Sequence, residues 1–259
     1  MAIKLALTSI KGGLAKTTTS ICLADALQRR GKSVLLVYVD AQRSASSLYQ
    51  ASADSGIGTL ADIMYCDTDA SECIQHTEMG DIIASDINLA MADSNVKNNP
   101  DRFYHISDAF KSVDEQYQFI IFDCPPSDGV LLGNVLSYVN FLIVPVTCDQ
   151  FGLQGMYSIP SVMSEYTKRI NPTLRVIGAL IVRYKGRQSL TRDLEENTLP
   201  VLAKAMGSKV FTTKIRESVK CQEAQTMHSS LFKYAPKSTT AIDYENFADE
   251  LLEDLKNEK

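Results

Sequence analysis

The chain has 259 residues, 45% of them hydrophobic, and a formal net charge of −5. This is enough apolar material for one substantial core at a length common among single α/β domains, so disordered and disulfide-stapled classes are excluded and one domain over 1–259 is expected. No segment approaches 18 consecutive apolar residues, and the first residues read as a strand where a signal peptide would have a charged start and an apolar core, so a cytoplasmic, unexported protein is expected.

Ile3–Thr8 reads as an apolar strand and Ser20–Arg30 as helix, with Ser9-Ile10-Lys11-Gly12-Gly13-Leu14-Ala15-Lys16-Thr17-Thr18-Thr19 between them. Strand, glycine loop and helix in this order predict a phosphate cradle, because glycines let several backbone N–H groups and the start of a helix point at one polyanion. Gly12, Gly13, Leu14, Ala15, Lys16, Thr17 and Thr18 form the expected cradle, Lys16 reaches the β/γ phosphates of ATP, and the Thr17 hydroxyl ligates Mg²⁺. The strict phosphate-loop pattern has glycines where Ile10 and Ala15 stand, and the methyl of Ala15 is harmless if that residue already has helical φ/ψ.

A second strand, Ser33–Val39, delivers Asp40 to the carboxyl end of a buried strand, where open parallel sheets bind ligands; capping of a following helix is the alternative role for this aspartate. Ile82–Ala84 and Ile87–Ala90 are the next strand candidates. Phe119–Phe122 then leads into Asp123-Cys124-Pro125-Pro126-Ser127, which puts a carboxylate at the sheet edge to bind Mg²⁺ directly or through water. Strands at Phe141–Val146, Arg175–Val182 and Lys209–Phe211 follow, with helices over 16–30, 101–116, 128–139, 150–170, 189–205, 216–227 and 239–256. This alternation predicts an α/β fold, a largely parallel twisted sheet with helices on both faces.

The six cysteines (22, 66, 73, 124, 148 and 221) show no CxxC pair, and His76, His105 and His228 show no ligand spacing, so free thiols and no metal-cysteine site are expected. Charge is uneven: residues 1–167 carry 10 basic and 19 acidic side chains, 168–237 carry 14 and 5, and 238–259 carry 2 and 7. The basic block reads either as ordinary solvated surface or as the footprint of a polyanion.

The loop fits K-G-G-x-[GA]-K-T, with an early lysine ahead of the phosphate lysine, and resembles the deviant Walker A box of the ParA/MinD ATPase superfamily, whose architecture is that of P-loop NTPases. The resemblance implies that Lys11 reaches the partner's nucleotide across an ATP-dependent homodimer, that Asp40 acts on the attacking water, and that Asp123 opens a switch loop of the form D-[TC]-P-P-[SA]. Ala41 and Arg43 replace the family's proline and glycine after Asp40. Further matches run through 141–155, through Ser218-Val219-Lys220-Cys221-Gln222-Glu223-Ala224, which resembles N-V-R-x-x-E-A, and through Tyr234-Ala235-Pro236-Lys237-Ser238, which resembles Y-D-P-K-S and implies that Pro236 packs near the adenine.

Within the superfamily, the acidic amphipathic stretch 246–256 lacks the basic face of membrane-bound MinD-like proteins, and the cluster cysteines of iron–sulfur relatives are missing. With the phosphate loop starting at residue 11, the helix-turn-helix module of larger ParA proteins is not expected ahead of it. The chain therefore resembles small, Soj-like ParA proteins. That implies an ATPase of weak intrinsic turnover that partitions DNA at the nucleoid, with a ParB-type centromere-binding partner. It also implies backbone contacts to non-specific DNA from Lys185, Arg187, Arg192, Lys214, Arg216 and Lys220, although Arg183 is a candidate to face the nucleotide. Two alternatives share the nucleotide residues: a positioning ATPase for a non-DNA cargo, and a nucleotide-binding regulator with little turnover.

Overall fold

The computed structural model describes residues 1–9, 12–41, 46, 48–51, 55–96, 99–186 and 192–258. Lys11, Arg43 and Arg187 lie outside the described residues. In chain order the elements are β1 (Ile3–Leu7), α1 (Lys16–Gln28), β2 (Val34–Tyr38), α2 (Leu60–Tyr65), β3 (Ile74–Thr77), β4 (Gly80–Ile83), α3 (Ala92–Val96), α4 (His105–Ala109) and β5 (Phe119–Asp123). They continue with α5 (Val130–Tyr138), β6 (Phe141–Val146), α6 (Gln150–Tyr157), α7 (Ile159–Arg169), β7 (Arg175–Tyr184), α8 (Leu199–Ala205), β8 (Val210–Arg216), α9 (Lys220–Thr226), α10 (Leu231–Tyr234) and α11 (Thr239–Asn257).

Strands β2 and β5 are buried at every position because both faces of the sheet are covered, which is why they read as unbroken apolar runs. Among the described residues the sheet has eight strands in the order β3-β4-β2-β5-β1-β6-β7-β8, parallel throughout except for β3 against β4. Alternation along β1 sends Leu5 and Leu7 to one face, under α1 and α11, and Ala6 to the other, where α5 and α6 pack. Burying each such leucine contributes about 1.5–3 kcal/mol. These contacts fix β1 and α1, and with them the loop between.

The expected strand at Ile87–Ala90 is instead a 3-10 turn over Ile87–Met91: the Asp86 carboxylate accepts the Asn88 N–H at 2.6 Å and starts a helical turn, which leaves Ile87 and Met91 exposed. The strand expected at Ile82–Ala84 is β4, and its antiparallel hairpin partner β3 had no counterpart in the expected strands. The turn between them is closed by the Thr77 hydroxyl, which donates to the Gly80 carbonyl at 2.8 Å, and by a left-handed Gly80 at φ 118°.

The helix expected over 101–116 shrinks to α4 followed by a short 3-10 turn. The helix expected over 150–170 divides at Ser158, because Pro160 has no N–H to continue α6 and sits in the first turn of α7. Strand β8 runs on to Arg216, so the helix expected from 216 begins only at Lys220. Residues 187–191 of the helix expected over 189–205 lie outside the described residues; Leu194–Thr198 form a π turn leading into α8. Helix α2, which was not expected, has a capping box between Thr59 and Asp62.

Candidate nucleotide site

The carboxyl end of β1 lies between β5 and β6, which enter the sheet on opposite sides of it. Chain connections diverge there and open a cleft. It encloses about 600 Å³ and is lined on one side by residues 13–18 and on the other by Arg183, Arg216, Val219 and Gln222.

Gly13 is left-handed at φ 78°, and Ala15, the residue before α1, is left-handed too, at φ 51° and ψ 27°. The expectation that a methyl at Ala15 sits at helical φ/ψ is therefore incorrect. An L side chain in this region is disfavoured by roughly 1–2 kcal/mol, which is why related loops favour glycine here. Replacing Ala15 by glycine should relieve that strain while adding freedom to the unfolded chain, for a net gain of up to about 1 kcal/mol and a melting temperature roughly 1–4 °C higher. Calorimetry of the nucleotide-free protein measures this, and a lower melting temperature for Ala15→Gly would remove the strain argument.

Helix α1 starts at Lys16 with no side-chain cap among the described residues and no acidic residue in its first turn. Its first N–H groups and the positive end of its dipole are thereby directed at the cleft, which suits an anion. Lys16 is only 7% exposed; its ammonium donates to Ser9 Oγ at 3.1 Å and to the Ser9 carbonyl at 3.4 Å. Burial lowers its pKa, opposed by the negative charge of Asp123 and Asp40. A phosphate would add negative charge beside this buried ammonium.

Asp123 closes β5 and is 1% exposed. Its Oδ1 accepts from Ser20 Oγ at 3.1 Å, and the Thr17 hydroxyl also bonds to the carboxylate, but Oδ2 has no partner among the described residues. Burial pushes the carboxyl up to about 7 despite these hydrogen bonds and the Lys16 ammonium, and the charge of Asp40 adds to the rise. A buried carboxylate oxygen without a donor, beside a threonine hydroxyl, fits a hard divalent cation such as Mg²⁺, which takes one or two protein oxygens and completes its shell with water and phosphate. Asp40 follows β2, its carbonyl accepting from Ser85 Oγ at 2.7 Å, and its charge acts on both Lys16 and Asp123. The loop, Asp40 and Asp123 are thus brought together.

Pro236 is not brought to the cleft. The turn Ala235–Ser238 is closed by the Ser238 N–H on the Ala235 carbonyl at 3.0 Å and continues into the Ser238 cap of α11, leaving Pro236 exposed; Thr240 and Tyr244 of α11 line the cleft instead. Three contributors were not foreseen. Ser20 lies four residues beyond Lys16 on the same helix face, a spacing that the sequence displays. Gln225 of α9 donates to Thr18 Oγ1 at 3.1 Å, and Glu217 holds Arg183 and Lys185 together at the rim. Arg183 itself lines the cleft, left-handed at φ 52° beside a register shift between β7 and β8. Bulged strand ends re-aim side chains in this way.

The basic residues of the 168–237 block are less free than their count implies. Lys185 pairs with Glu217 at 2.8 Å, Lys220 with Glu223 at 2.7 Å, Lys214 with Glu195, and Arg216 forks onto Asp243 and lines the cleft. Arg192 donates to the Gly186 carbonyl at 2.9 Å. Half-exposed pairs of this kind contribute about 0–1 kcal/mol each, so phosphates can compete for the cations.

A protein-family model described as an AAA domain matches residues 2–176. The sporulation initiation inhibitor protein Soj of Bacillus subtilis is 31% identical over 249 residues, which cover 95% of this chain and 97% of that protein. The chromosome-partitioning ATPase Soj of Thermus thermophilus is 31% identical over 254 residues, covering 96% and 95%. The crystal structure of cobyrinic acid a,c-diamide synthase from Mycobacterium smegmatis with a bound ATP analog and magnesium is similar over 100% of this chain and 98% of that one, with a TM-score of 0.83 and 28% identity.

Proposed function

We propose, for a chain that belongs to the ParA/MinD family of P-loop ATPases, the role of a small partition ATPase whose ATP-bound dimer binds DNA without sequence preference and releases it when a ParB-type partner stimulates hydrolysis. The observation that carries the nucleotide half of this reading is the convergence of Lys16, Thr17, Asp123 and Asp40 at an uncapped helix start. The two Soj relatives support the partition half.

Bound MgATP would supply the phosphoryl group and a cation that neutralises its oxygens. The 12–18 backbone and the Lys16 ammonium, now on Ser9, would hold the phosphates, and the Thr17 hydroxyl and the Asp123 carboxylate would hold the cation. Asp40, at the end of β2, orients water for attack. Positioning and charge neutralisation dominate such reactions, and a weak basal rate is expected until a partner completes the site.

Lys11 is assigned to the partner's nucleotide from the early lysine of the loop motif. Lys11→Ala is therefore expected to retain nucleotide affinity and lose ATP-dependent dimerisation in gel filtration; a variant that dimerises like the parent sinks the assignment.

Arg187, Arg192 and Lys220, with Lys185, Lys214 and Arg216, are proposed for DNA. The triple change Arg187→Glu, Arg192→Glu and Lys220→Glu should leave ATP binding intact and weaken DNA binding by on the order of one to several kcal/mol at moderate salt, with a shallower salt slope. Titrating labelled duplex with ATP present checks this. A second reading, positioning of a non-DNA cargo, is favoured by one observation: Lys185, Lys214, Arg216 and Lys220 each already have a carboxylate partner. Negligible DNA affinity of the parent dimer at low salt would decide for it.

A further inference from the structure

Gln225 lies one residue beyond the 218–224 stretch matched to N-V-R-x-x-E-A, so no motif gives it a role. It follows Cys221 by one turn on α9, and both side chains line the cleft. Ala224 beside it is 2% exposed and packs into the core shared with α1 and α11, which fixes the face that α9 turns toward α1. From that face the Gln225 side-chain amide donates to Thr18 Oγ1 at 3.1 Å.

The next two hydroxyls of α1 turn inward, Thr19 bonding to the Tyr244 hydroxyl and Ser20 to Asp123, both at 3.1 Å. Thr18 instead lines the cleft, in the first turn of α1, where backbone N–H groups have no partner within the helix. A threonine hydroxyl has two lone pairs and one hydrogen. With the Gln225 amide on a lone pair, the hydrogen cannot point at Gln225, and no acceptor takes it among the described residues. It is left for an acceptor in the cleft.

We propose that Gln225 is a positioning residue for the nucleotide: by donating to Thr18 Oγ1 it commits the Thr18 hydroxyl to donate to a phosphate oxygen. This rests on the nucleotide reading above. Threonine in a helix divides between two χ1 rotamers, because its oxygen can also bond to a carbonyl of the preceding turn. The bond from Gln225 holds Oγ1 in the rotamer that faces α9 and the cleft, so the ordering is complete before the ligand arrives. The hydroxyl adds a neutral donor beside the Lys16 ammonium without burying another charge. Neither Asp40 nor Asp123 lines the cavity that Thr18 and Gln225 share. The bond is therefore made alike to bound ATP and to its transition state, and it acts on affinity and not on the chemical step.

The test uses the full chain with Mg²⁺, a fluorescent ATP analogue for binding and steady-state hydrolysis of ATP. Gln225→Met keeps the length of the side chain and removes the donor. It should weaken analogue binding about three- to tenfold and raise KM in step, while kcat changes by less than about twofold. Gln225→Glu can only accept, so it draws the Thr18 hydrogen away from the cleft and adds negative charge; it should bind more weakly still. Thr18→Val should lose at least as much affinity as Gln225→Met, and adding Gln225→Met to Thr18→Val should cost nothing further. Melting curves of the nucleotide-free variants confirm folding. A Gln225→Met protein with a lower melting temperature but parental Kd and KM has lost only a tie between helices, and overturns the proposal. So does a Gln225→Glu protein that binds like the parent, or a further loss in the double variant. A parent that binds no analogue strikes the nucleotide reading and this inference with it, whereas a parent and a Gln225→Met protein that bind equally strike this inference alone.

Discussion

Replacing Lys16 by alanine should abolish measurable ATP binding, whereas Asp40→Ala should bind ATP like the parent, hydrolyse it on the order of 10²–10⁴ times more slowly, and accumulate as an ATP-bound dimer. The two residues share one electrostatic neighbourhood but act on different states. Lys16 is a buried ammonium whose pKa is lowered by burial, so it gains most from ground-state phosphate charge, on the order of 3 kcal/mol or about a hundredfold in Kd. Losing it also removes a cation whose charge favours the ionised Asp123 carboxylate. Asp40 carries negative charge and gains nothing from the phosphates; its contribution appears only as water is oriented for attack. Equilibrium binding of an ATP analogue, phosphate release and gel filtration with ATP separate the two cases. An Asp40→Ala protein with parental turnover removes Asp40 from the site.

Asp123→Asn should lose Mg²⁺-dependent binding and turnover while making the nucleotide-free protein more stable, by an amount that depends on pH. The native carboxyl titrates at about 7, against about 3.9 when unfolded. Between those values the native state holds a proton that the unfolded chain has released, so stability falls as pH rises, and the penalty is complete above about 7. Three pKa units correspond to about 4 kcal/mol. The asparagine keeps an oxygen for Ser20 and Thr17 but places an N–H where Oδ2 had no partner, which returns about 1–2 kcal/mol of that gain. A net gain of about 2 kcal/mol, or roughly 5 °C in melting temperature, is expected at pH 8 and should shrink toward zero near pH 4–5. Melting curves across that range without Mg²⁺ measure it; a variant less stable than the parent at pH 8 contradicts the burial argument.

The strand, loop and helix of the cleft and the positions of Asp40 and Asp123 at strand ends were legible because each of these parts is local. A strand, a loop and a helix lie within the first 28 residues, and Asp40 and Asp123 each follow an apolar run. What was not legible depends on partners distant in the chain. The positive block counts fourteen basic side chains, yet the partner of Arg216 is Asp243 and that of Lys214 is Glu195, pairings fixed only by how β8 packs against its neighbours. Pro236 was placed by motif alone, and the cap of α11 turned it outward. Ala15 was misjudged because φ is a property of the whole loop and not of the residue. Strand β3 escaped because Gln75 and His76 interrupt its apolar pattern at a sheet edge.

The central place of β1 also sets a timetable for synthesis. Its first backbone partner strand is β5, and the Lys4 N–H is satisfied by Asn140, 136 residues further along. At about 5–20 residues per second a ribosome needs roughly 6–23 s to go from β1 to β5, and until then the strand that precedes the phosphate loop has no partner strand. For that interval the apolar run Ile3–Leu7 stays unpaired, and the strand that anchors the phosphate loop takes its place only once the middle of the sheet has been made.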